Sequence, residues 1–250
     1  MMSVGSDNRQ APKEDGVIAP AIEGVAPKPN LKILPTSPQI AVSYWSLLAQ
    51  IVADLATPGR ATGAPPAAAH SFLDTLMARL AHFHATQLDN VHTAGRLIAE
   101  RVLAGGRLHL WSGRKEFYVE ACSTAGGIRG NYPVCDPGQA FAELDPATLN
   151  ENDVVIIACA LAEPGPETAM ARRIHATGAA IVGIYAAERE DGESSDEFAG
   201  LCAVALNNQS GDVGGVLVVP GYERKVIPTL GLMNNYSYWA VVGCETRSLS

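Results

Sequence analysis

The stretch DVVIIACALAEPGPETAMARRIHATGAAIVGIY, Asp153–Tyr185, decides the fold. It opens with an apolar run, Val154–Cys159, crosses a Pro- and Gly-bearing loop, Ala160–Pro166, and takes up a helical pattern over Glu167–Thr177. Gly178 stops that pattern, and a second apolar run follows, Ala180–Ile184. Short apolar runs with no polar alternation mark strands buried on both faces, as in a parallel sheet. A helix between two such strands is the crossover that parallel strands require.

Working outward, Leu108–Trp111 and Cys202–Leu206 are further short apolar runs. A helical stretch, Glu116–Ala125, follows the first of them, and a last helix is expected over about Pro228 to Glu245. The alternation implies an α/β fold, a three-layer doubly wound sandwich with helices on both faces of the sheet. Ligands of such folds bind beyond the carboxyl ends of the strands. The loops that matter are therefore Ser112–Lys115, Ala160–Pro166 and Tyr185–Glu197.

Upstream, three segments precede the sheet. Residues 1–38 are rich in Pro, Gly and charge without periodicity, and read as a disordered tail. Two apolar clusters in it, GVIAPAIEGVAP and NLKILPTSP, leave open a docking role for the tail. Residues 39–70 form an N-terminal helical extension and linker, with Ile40, Tyr44, Leu47, Leu48, Ile51 and Leu55 on one face. The α/β domain spans 71–250. It begins with a long helix, from Ser71 and Asp74 as a capping box to the stop at Gly105–Gly106. That helix is longer than a small sheet can cover, so a homodimer burying about 1,600 Å² or more is expected.

Composition narrows the functions. The chain has 250 residues, 47% hydrophobic and 18% charged, enough for one sizeable core. A net charge of −8 excludes a broad nucleic-acid surface, while leaving room for a local anion site. No apolar run reaches the roughly 20 residues of a membrane span, and the N-terminus lacks a signal-peptide pattern. The five cysteines form no CxxC pair, so they read as free thiols of a cytoplasmic protein. His82 and His84 stand at i, i+2 on the long helix and face different sides, which is not a metal-ligand pair. Neither a metal nor a cofactor is expected.

The first loop carries the clearest chemistry. Ser112, Gly113, Arg114 and Lys115 lie between a strand and a helix N-terminus, where free N–H groups favour anions. Ser112 adds a hydroxyl, Gly113 allows close backbone approach, and Arg114 can grip phosphate or carboxylate in two places. The same residues also suit an ordinary turn with solvated bases. The second loop has no hydroxyl before Thr168. Glu163 and Glu167 bring negative charge, which suits an amine or hydroxyl ligand or a helix cap.

AGRLIAERVLAGGRLHLWSG, VEACSTAGG, LNENDVVIIA and GAAIVGIY, in that order, resemble the sugar isomerase (SIS) domain, in its stand-alone bacterial type related to phosphoheptose isomerases. VALNNQSGDVGGVLVVPG and KVIPTLGLMNNYSYWAVV are similar to that type's turn before an apolar strand and to its last helix. The resemblance covers about Ser71 to Val242. It implies a five-stranded parallel sheet, phosphosugar or small-anion binding, and a dimer or tetramer. It also implies Glu120 as proton-transfer group and Asp212 and Thr229 at the ligand, beside Ser112, Gly113, Arg114 and Lys115. Two departures bear on activity. The second ligand loop has lost its hydroxyls, and the last helix has no histidine, carrying Asn234, Asn235, Tyr236 and Tyr238 instead. An isomerase needs a base and a partner acid. A binding protein with altered or lost isomerase activity is the leading expectation, beside an active sugar-phosphate isomerase and a structural or docking protein.

Overall fold

Four apolar runs pair as one parallel sheet: β1 (Leu108–Trp111), β2 (Val154–Ala158), β3 (Ala180–Tyr185) and β4 (Val204–Asn207), in the order β1-β2-β3-β4. Leu108 stands opposite Val154, Val154 opposite Ala180, and Val182 opposite Val204. The computed structural model describes residues 38–55, 67–113, 117, 121, 144–158, 165–186, 196–211, 215–218, 223 and 225–248, all within the compact unit Pro35–Ser250. Five helices flank the strands among these residues: α1 (Pro38–Leu55), α2 (Ala67–Leu103), α3 (Pro166–His175), α4 (Asp196–Leu201) and α5 (Leu230–Ser248). None is long and apolar enough to cross a membrane.

Side chains on a strand alternate between faces, and both faces here are covered. Leu108, Leu110, Val154, Ile156, Val182 and Leu206 point into a core shared with Phe72, Phe83, Ile98 and Met233 of α2 and α5. Val155, Ile157 and Ile181 point the other way, onto Met170, Ala171 and Ile174 of α3 and Phe198 of α4. The second layer is tight at Gly183, where a Cβ would stand 2.5 Å from Cys202 Sγ and 2.6 Å from Phe198 Cε1. Burial pushes the Cys202 thiol up to about 12.

The amino ends of β1 and β2 are tied by one buried carboxylate. Asp153 accepts the Arg107 backbone N–H at 2.8 Å and the Asn150 N–H at 3.0 Å, with the Asn150 amide at 2.9 Å and the Arg107 guanidinium at 3.2 Å. Burial alone would raise its pKa. The Arg107 side-chain bond, the two backbone N–H groups and the Arg107 charge outweigh that and hold it below the usual 3.8.

The parallel sheet, the crossover helix α3 and the last helix agree with the sequence expectation, with four differences, while the expected helix Glu116–Ala125, apart from Phe117 and Ala121, and the loop residues 160–164 and 187–195 lie outside the described residues. Four strands stand among the described residues where the resemblance implies five. Cys202 lies in the turn after α4, because its thiol fills the space over Gly183, and β4 starts at Val204 and runs on to Asn207. The long helix begins at Ala67, so Ser71 is inside it and its carbonyl accepts the Thr75 hydroxyl at 2.8 Å rather than capping. Finally, the buried side of α1 is set by Val42, Trp45, Leu48, Ala49 and Val52, leaving Tyr44, Leu47 and Ile51 exposed. The tail, apart from Pro38, which opens α1, and the linker 56–66 lie outside the described residues.

Candidate functional site

Polar residues are buried where the strands end. At the β1 corner, the Ser112 hydroxyl donates to the Ala158 carbonyl at 2.9 Å and so bridges the ends of β1 and β2. Gly113 follows it. A Cβ on Gly113 would stand 2.6 Å from Glu167 Oε1, so the Glu167 carboxyl group leans directly on this turn. Glu167 is in the first turn of α3, after Gly165 and Pro166, where the helix dipole favours a negative group. It is 4% exposed, with Thr168 beside it at 2%.

The β4 corner is built from α2, the segment after β4 and the start of α5. Asn90 of α2 donates to the Ala205 carbonyl at 3.3 Å, and the Asn207 N–H donates to Gln87 Oε1 at 3.1 Å. Arg79 lies further along, its guanidinium bonded to the Thr229 hydroxyl and 3.1 Å from a Cβ built on Gly211. Thus α2 runs antiparallel to β4, and its N-terminal half rises past the carboxyl edge. Asn208 donates to Asn234 Oδ1 at 2.5 Å and accepts the Ser210 N–H at 2.8 Å. Gln209 and Gly211 hold φ of 59° and 62°, which turns the chain sharply at this edge. Asn208, Ser210 and Thr229 are fully buried.

These positions sort the expected site residues. Ser112 and Gly113 are together at the β1 corner. Thr229 is at the β4 corner, three strand spacings away, or about 14 Å at roughly 4.8 Å each. Arg114, Lys115, Glu120 and Asp212 lie outside the described residues. Of the two tyrosines on the last helix, which lacks a histidine, Tyr238 is wholly buried, with its ring against Phe117 and Trp239. The Tyr236 hydroxyl is hydrogen-bonded to His84 on α2, and burial raises its pKa, away from ready proton donation. The contact of Glu167 with Gly113 and the places of Arg79, Gln87, Asn208 and Ser210 are absent from the sequence expectation. The run Asn207–Ser210 directly after a strand was the available signal for the last two. Arg79 carried none, since a basic residue on a helix looks solvated.

Glu167 brings a hydrogen-bond acceptor to the β1 corner. A negative group about 4 Å from the Glu167 carboxylate would meet a repulsion on the order of 4 kcal/mol at an effective dielectric near 20. Hydroxyl or ammonium donors would meet an acceptor instead.

No protein-family model matches the chain. No curated protein matches it either. Among solved structures, one described as "Crystal structure of an hypothetical protein" is similar over 72% of this chain and 90% of its own, at 13% identity and a TM-score of 0.41. That likeness carries no weight in the functional reading. The class defined by the fold itself is an α/β protein with a parallel four-stranded sheet, flanked on both faces by helices.

Proposed function

We propose that this chain is a SIS-like protein that binds a sugar derivative, phosphosugars included, at the carboxyl edge of its sheet, with aldose–ketose isomerase activity altered or lost. One observation carries the reading: uncharged hydrogen-bonding side chains are buried at both corners of that edge, Ser112 and Thr168 at one and Asn208, Ser210, Thr229 and Asn234 at the other. Amides and hydroxyls buried beyond the ends of parallel strands suit a ligand rich in hydroxyls. The β4 corner adds the Arg79 guanidinium for an anionic substituent. The isomerase side is weakened because Tyr236 and Tyr238 are engaged elsewhere. The site is proposed to work in a cytoplasmic homo-oligomer, without metal or cofactor. A thermal-shift and calorimetric panel of sugars and sugar phosphates on the full chain tests this. A ligand at 100 times its Kd stabilises by about 2.7 kcal/mol. A panel with no member that shifts Tm or gives a saturable heat at millimolar concentration would sink the reading.

A second reading, an assembly or docking role, is favoured by α1. Tyr44, Leu47 and Ile51 make an exposed apolar stripe at 37%, 62% and 40%. Sedimentation as a stable monomer at micromolar concentration would remove the oligomer from either reading.

A further inference from the structure

Helix α1 is apolar on two opposite sides. Val42, Trp45, Leu48, Ala49 and Val52 pack into the core, while Tyr44, Leu47 and Ile51 face outward. A helix that is apolar all round is ordinarily covered on both sides. The outer residues follow one another at i, i+3 and i+7, the spacing of a seam between two helices.

The charge on α1 distinguishes what can cover it. Asp54 is the one charged residue of the helix, and it stands seven residues after Leu47, so it closes the same stripe. Gln50 holds it there, its amide donating to Asp54 Oδ1 at 2.7 Å. A carboxylate in the last turn lies at the negative end of the helix dipole, the unfavourable end of its own helix. The first turn carries no acidic residue to meet the positive end.

We infer that the outer stripe of α1 is covered by α1 of a second copy of this chain, antiparallel about a two-fold axis beside Leu47. The inference rests on the assembly reading above and gives it a partner and an orientation. At about 1.5 Å per residue, Asp54 lies roughly 10 Å beyond Leu47, level with the first turn, Pro38–Ala41, of the second copy. Each carboxylate then meets the positive end of the other helix, twice by symmetry, whereas a parallel pair would set two carboxylates side by side. One face of an 18-residue helix is smaller than the roughly 800 Å² per copy of a standard interface, so association in the micromolar range is expected.

One tryptic peptide reports the geometry. Residues 33–60 hold no Lys or Arg before Arg60 and no cysteine, so all of α1 is released in one piece. Full-length Tyr44→Cys and Ile51→Cys chains are mixed, oxidised in air and digested without reductant. The expected product links position 44 of one copy to position 51 of the other, in excess of 44–44 and 51–51 links, and each combination has its own mass. Sedimentation equilibrium supplies the second measurement. Leu47→Glu, at a position 62% exposed, should keep the circular dichroism of the wild type and lose the dimer. Asp54→Lys places the favourable charge at the end of its own helix, so the dilute monomer should be no less stable. The dimer should nonetheless weaken about 3- to 30-fold, because two end contacts are lost. If Leu47→Glu does not fold, the disulfide pattern and Asp54→Lys decide. A dimer with 44–44 and 51–51 links in excess, or with an unchanged Kd in folded Leu47→Glu or in Asp54→Lys, overturns this inference and leaves the assembly reading standing. A wild type that sediments as a monomer at micromolar concentration overturns both, and leaves the stripe to a different protein or to another segment of this chain.

Discussion

Replacing Asp153 by Ala tests the account of how the sheet is anchored beneath its ligand edge. The side chain is fully buried, and its two oxygens satisfy the backbone N–H groups of Arg107 and Asn150. Leaving a buried donor without a partner costs roughly 1–3 kcal/mol, so two donors give about 2–6 kcal/mol. The Arg107 side chain is 46% exposed and regains water, which keeps the loss in the lower half of that range. At roughly 2–4 °C per kcal/mol for a domain of this size, a loss near 3 kcal/mol lowers Tm by about 6–12 °C. Urea unfolding at neutral pH measures it. The pH dependence follows from the lowered pKa. The contribution is fully present above the unfolded value of 3.8 and is lost as pH falls through the depressed folded value. Wild type and Asp153→Ala should therefore converge in stability as acid is added below that value. A difference under about 1 kcal/mol at neutral pH, or one that grows in acid, would refute the reasoning.

Two other groups give simpler tests. His109 is buried on β1, and its Nε2 has no hydrogen-bond partner among the described residues. Burial lowers its pKa more than the nearby Asp153 charge raises it, and Arg107 lowers it further. Its neutral form is therefore the one that stabilises the fold. That contribution is complete above 6.5 and lost as pH falls, so Tm should drop in mild acid, and His109→Gln should flatten the drop. Cys202, with its thiol pushed up to about 12, should resist iodoacetamide at mildly alkaline pH and react only after denaturant is added, as read by peptide mass spectrometry.

The central strands were legible because they are buried on both sides: Val154–Ala158 has no polar residue to satisfy, and its run length excludes a long helix. The limits of β4 were not, because Cys202 is apolar for a reason outside the strand, its packing over Gly183. The face of α1 was misread for a related reason. Apolar residues lie on both sides of that helix, and the side that is buried depends on where Trp45 and Leu48 meet α2 and α5. At the site, Ser112 and Gly113 could be found from their place between strand and helix. The contact of Gly113 with Glu167 joins residues from two separate loops, and no local pattern reports it. Arg79 and Thr229 are 150 residues apart and meet only because α2 rises past β4 beside the start of α5.

The central claim is that a sugar derivative binds along the carboxyl edge of the sheet, and the Gly113 and Gly211 amides stand at its two corners. The most direct measurement follows both amide signals by NMR while the best binder from the sugar and sugar-phosphate panel is added to the full chain. The account predicts saturable shifts of one or both, with a midpoint equal to the calorimetric Kd. Binding that saturates by calorimetry while both amides stay unmoved would contradict it and place the ligand elsewhere on the molecule.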